Sequence, residues 1–85
     1  MRHITPARLP QVAFLVEGVR QCDGLVERKL GTFYRKSSAF LHFHEHGDDE
    51  VYADCKLNGS TFERFDVSTR RQQEALLRKI RKALA

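Results

Sequence analysis

His42, His44 and His46 recur at every second position, with Phe43 and Glu45 between them. Alternation of this kind is the period of a β-strand, so the three imidazoles stand in a row on one face. Imidazole is a common ligand for zinc. Side chains at i and i+2 start about 6.6 Å apart along a strand, and two imidazoles from such a pair can meet one ion at Zn–N distances of about 2.0–2.1 Å. His42 and His46 start about twice as far apart, so all three share an ion only if the strand bends. A zinc site therefore calls for His42 with His44, or His44 with His46, completed by a carboxylate such as Asp54 or Asp66.

The same imidazoles have a structural explanation, as half-exposed side chains paired with Asp54, Tyr52 and Asp66 on a polar sheet face. They also offer a pH response. Four histidines titrate near neutrality, and their full protonation would raise the net charge from +4 to +8.

A second surface is cationic. Arg70, Arg71, Arg78, Lys79, Arg81 and Lys82 are opposed only by Glu74 between Ser68 and Ala85, a balance of +5, whereas residues 1–67 carry nine basic and ten acidic side chains. All of the excess positive charge lies in that last segment. Such a stripe neutralises phosphates and gives salt-dependent binding to nucleic acid. Its structural counterpart is a solvated helix face with cations near the C-terminus, where the helix dipole favours them. Tyr34, Phe40, Tyr52 and Phe62 are the aromatic side chains available on the sheet for stacking on bases. Phe40 and Phe62, taken as exposed, also form a contact surface for a protein partner or a second copy of the chain.

Catalytic constellations are sparse. Asp48, Asp49 and Glu50 fall in a turn without the spacing of a calcium loop. Cys55 belongs to a buried strand face, Ser37, Ser38 and Ser60 lack a nucleophile elbow, and no glycine-rich phosphate loop is present.

These residues are carried by helices and strands that the apolar pattern marks out. Val12, Leu15, Val16, Val19 and Cys22 recur at the three-and-four spacing of a helix over about residues 10–22. Gly18 weakens that helix by about 1 kcal/mol relative to alanine, which a close helix–sheet contact would offset. Residues 25–38 form either two short strands broken at Gly31 or one bent strand.

Ala39, Leu41 and Phe43 then alternate with the histidines, Val51, Ala53 and Cys55 with Tyr52 and Asp54, and Thr61 to Val67 closes an antiparallel meander. A one-residue slip would move every side chain to the opposite face. Three-residue loops at Gly47–Asp49 and around Gly59 bring Leu41, Phe43, Val51, Ala53, Cys55, Phe65 and Val67 together. They also create two cross-strand polar rows, His42–Asp54–Arg64 and His44–Tyr52–Asp66. Ser68 caps a final helix, which buries Leu76, Leu77, Ile80, Ala83 and Leu84.

Eighty-five residues make one domain, and a chain of this size buries only about 60% of its unfolded surface. With 41% hydrophobic and 31% charged residues it has the balance of a globular protein. Its longest apolar run, Val12–Val16, is far short of a membrane span, and no signal-peptide pattern appears, so the expectation is a cytoplasmic protein with no membrane partner. That compartment keeps Cys22 and Cys55 reduced.

The run Cys22-Asp23-Gly24-Leu25-Val26-Glu27, leading to Ser38-Ala39-Phe40-Leu41-His42-Phe43, resembles the MmcQ/YjbR-like group of small bacterial proteins over about residues 10–57. The resemblance implies an antiparallel sheet flanked by helices and a proposed DNA-binding role; it carries over no catalytic residue. Fold-level analogy of this kind does not establish function.

The expected architecture is α+β: an N-terminal helix, a four-stranded antiparallel meander and a C-terminal helix packed on one sheet face. The expected function is a non-enzymatic binding module that takes nucleic acid through the basic helix. Metal or small-ligand binding at His42, His44, His46 and Asp54 is the alternative, and protein interaction the third reading.

Overall fold

The computed structural model describes residues 1–85. Its elements run β1 (Arg2–His3), a 3-10 turn (Leu9–Val12), α1 (Ala13–Arg20), β2 (Leu25–Lys29), β3 (Thr32–Arg35), β4 (Ser38–His46), β5 (Glu50–Cys55), β6 (Glu63–Asp66) and α2 (Arg70–Leu84). The α+β class and the flanking helices are as expected. The sheet is larger than a four-stranded meander, because residues 25–35 split into two strands at Gly31 and β1 adds a further short strand.

All pairings are antiparallel, in the order β2-β3-β4-β5-β6. β1 lies on the same side of β4 as β3. It is opposite Glu45 and His44, whereas β3 is opposite Ser38, Ala39 and Leu41. The register matches the one argued from sidedness: Phe43 pairs with Ala53 and Ala53 with Phe65, His42 with Asp54 and Asp54 with Arg64, His44 with Tyr52 and Tyr52 with Asp66. Two rows of cross-strand polar neighbours therefore cross the polar face.

One side of the sheet faces the helices across a core of Leu41, Phe43, Val51, Ala53, Cys55 and Val67, together with Val12, Leu15, Val16, Val19, Leu76, Leu77 and Ile80. Phe65 is only partly buried, since β6 is a sheet edge. Phe40 departs from expectation. It is 2% exposed, because the β3–β4 register shifts between Phe33 and Tyr34 and leaves Phe40 as the extra residue. A bulge of this kind turns one more side chain to the core, so Phe40 offers no contact surface, while Phe62 is 41% exposed. The adjoining hairpin turns through Lys36 (φ 50°) and Ser37 (φ 68°). Non-glycine residues in that left-handed region cost roughly 1–2 kcal/mol each.

The first helix also starts later than its apolar stripe implies. Pro10 confines residues 9–12 to a 3-10 turn, and regular α-helix runs only from Ala13 to Arg20. The cap of α2 is Thr69 rather than Ser68: Thr69 Oγ1 accepts from Gln72 N, and Gln72 Oε1 accepts from Thr69 N. Ser68 instead joins the sheet end, its Oγ accepting from Val51 N at 3.1 Å.

Gly18 faces the other helix and not the sheet. A Cβ there would overlap Leu77 Cδ2 and lie 3.1 Å from Leu77 Cδ1, so the glycine lets α1 and α2 approach closely. Gly18→Val is expected to lower folding stability by about 1–3 kcal/mol through overpacking, measured by urea denaturation. Unchanged stability would mean that this contact relaxes freely.

Candidate metal centre

The sheet face away from the helices carries a cluster of imidazoles. On β4, His42 and His44 project to the same face as i and i+2 neighbours, and His3 of β1 lies directly opposite His44. A strand pair with one cross-strand partner thus places three imidazoles around one point. Their ligating nitrogens all lie within 4.8 Å of one another. The His42 and His44 rings are 4.9 Å apart at their centroids, and His3 is 6.1 Å from His44 and 6.5 Å from His42. On a tetrahedral zinc, two nitrogens at 2.0–2.1 Å from the metal are about 3.4 Å apart. Side-chain rotation of roughly an ångström would close the group to that spacing.

His46 and Asp54 lie outside this cluster. His46 is exposed at the end of β4, opposite Glu50. Asp54 accepts two hydrogen bonds from Arg64, at 2.8 and 2.9 Å, and these hold its carboxyl below the usual carboxylate range. Its Oδ2 is also 3.1 Å from His44 Nε2. That approach lies off the N–H direction, so His44 Nε2 is shielded from solvent without an aligned hydrogen bond. A carboxylate beside a ligating imidazole orients the ring and raises its basicity. Asp54 stands where such a group acts: a small rotation that lets His44 Nε2 donate to it leaves Nδ1 for a metal.

Burial lowers the pKa of His42, and the neighbouring His44 adds to the effect. The shift favours the neutral ring, the form that ligates metals. Phe62 closes the far side, its ring 4.8 Å from that of His42 and tilted edge-on.

His3 was not among the side chains that the alternating pattern singles out. Its position depends on Glu45, which has the same strand parity as Leu41 and Phe43 and is only 3% exposed. The Glu45 carboxylate accepts from Thr5 N (2.8 Å), Thr5 Oγ1 (2.9 Å) and Arg2 Nε (2.9 Å), and Ile4 N donates to Phe43 O at 3.1 Å. These bonds pin the segment on both sides of His3. A carboxylate on the apolar parity of a strand was the available signal, since a buried charge requires a partner.

No family model, curated protein or solved structure matches the chain.

The cations of α2 occupy the face away from the core. At about 100° per residue, Arg70, Arg71, Arg78, Lys79, Arg81 and Lys82 spread over about half of the helix circumference. All six are exposed. Arg70 is partly engaged, 3.5 Å above the centre of the Phe14 ring and 3.5 Å from Glu74 Oε2; the other five form no ion pair. Cys55 is buried, which pushes its thiol up to about 12, and Glu63 contributes further. It is not a nucleophile at neutral pH. No helix is long and apolar enough to cross a membrane.

Proposed function

We propose that this protein binds one divalent transition-metal ion, of which zinc best fits the ligand set, through His3, His42 and His44. The observation that carries the reading is the convergence of their ligating nitrogens within 4.8 Å across the β1–β4 strand pair. Asp54 orients His44, and Arg64 in turn holds Asp54. Three neutral imidazoles leave a tetrahedral ion with one position for water or a small ligand.

Because the imidazoles must be deprotonated, affinity is expected to fall as pH drops below the histidine range. Metal-free protein is expected to take up one equivalent of zinc at neutral pH, and failure to bind would remove the proposal. Asp54→Asn is expected to weaken zinc binding about 10- to 100-fold, as removal of an outer-sphere carboxylate does elsewhere, measured by competition with a chelator. Unaltered affinity would leave Asp54 with a purely structural role.

A second reading, nucleic-acid binding by α2, is favoured by five exposed cations without an ion-pair partner, at Arg71, Arg78, Lys79, Arg81 and Lys82. It agrees with what the MmcQ/YjbR-like resemblance implies. Association with duplex or single-stranded nucleic acid that weakens steeply with salt would support it, and no association at low salt would remove it. The metal reading ranks first because its three ligating nitrogens converge on one point, whereas the cations of α2 are spread along and around an exposed helix face.

A further inference from the structure

We infer a separate anion site, suited to the phosphate of a small phosphomonoester, in the depression between the β3–β4 turn and the loop after β5. The depression has a volume of about 340 Å³ and is lined by Arg35, Lys36, Ser38, Phe40 and Lys56, with no carboxylate on its wall. None of the three cations forms an ion pair, although the chain has eleven acidic residues. Like charges gathered without a counter-charge repel one another, and an anion between them relieves that repulsion.

Lys56 is also held in place. Its Nζ donates to Ser38 Oγ at 2.9 Å and sits 5.1 Å from the centre of the Phe62 ring. The ammonium is thus aimed along the pocket wall beside a hydroxyl that can itself donate to a phosphate oxygen. The left-handed Lys36–Ser37 turn and the Phe40 bulge shape the rim, at a place where the backbone is least relaxed. Phe62 lies between this depression and His42, so an aromatic group attached to the phosphate could rest on its exposed ring.

The site does not depend on the metal proposal. The test is amide NMR titration of the full chain with inorganic phosphate, with adenosine monophosphate and with adenosine, at constant ionic strength. Shifts at Arg35, Lys36, Ser38 and Lys56 with both phosphates, and none with adenosine, are the expected result. Larger shifts and tighter binding with the monophosphate would identify an organic phosphate as the ligand, while equal binding would identify free phosphate. Lys56→Gln is expected to weaken phosphate binding at least tenfold and to leave zinc uptake unchanged. No shifts at these residues, equal shifts with chloride, or undiminished binding by Lys56→Gln would each overturn the inference.

Discussion

Gln73→Ala is expected to lower folding stability by about 2–4 kcal/mol, because it leaves the buried Leu15 N and Val67 O, and the part-buried Gln11 O, without the partner Gln73 supplies. Gln73 is a polar residue within the apolar stripe of α2 and is buried. Its Oε1 accepts from Leu15 N at 3.2 Å, satisfying a donor in the first turn of α1, where N–H groups have no intrahelical acceptor. Its Nε2 donates to Gln11 O at 2.9 Å and to Val67 O at 3.0 Å. One side chain therefore ties the 3-10 turn, α1, the end of the sheet and α2 together. Gln73→Leu separates the two components of the loss, since it refills the volume without restoring the bonds. Urea denaturation is expected to show both variants strongly destabilised. A leucine variant as stable as the original chain would show that packing alone matters at this position.

Glu45→Ala is expected to release β1 and, with it, the third imidazole. Amide exchange at Ile4 is then expected to become fast at pH 7, and zinc affinity to fall at least tenfold, towards that of a two-histidine site. The same contacts set a pH dependence. Hydrogen bonds from Thr5, together with the Arg2 guanidinium, hold the Glu45 carboxyl at about 2 against an ordinary value of 4.5. Because the folded-state value is depressed, the stabilisation is fully present above about pH 4.5 and is lost as the pH falls towards 2. Protection of Ile4 reports this window. Metal affinity does not, since protons compete with the metal for its ligands over a different pH range. An Ile4 amide as protected in Glu45→Ala as in the original chain would show that β1 docks without the carboxylate.

The meander and its register were legible because the apolar residues of β4 and β5 alternate cleanly, and only one pairing keeps Leu41, Phe43, Val51, Ala53, Cys55 and Val67 on the same side. Two imidazoles of the cluster were legible for the same reason. The third was not. Arg2-His3 is too short to show a period, and its place against β4 depends on a long-range contact to Glu45. Phe40 misled because a bulge changes strand parity without a mark in the apolar pattern. The split at Gly31 was one of two open readings, and the left-handed glycine there (φ 75°) is where the chain reverses. Gln73 was not legible as a tie between segments, because its three partners are spread over the fold.

The most direct test of the metal centre is calorimetric titration of metal-free protein with zinc at neutral pH, run in parallel on His3→Ala and His46→Ala. One equivalent bound by the original chain and by His46→Ala, with affinity reduced more than about a hundredfold in His3→Ala, is the predicted result. Equal binding by His3→Ala and the original chain, or loss of binding in His46→Ala alone, would contradict a centre built from His3, His42 and His44.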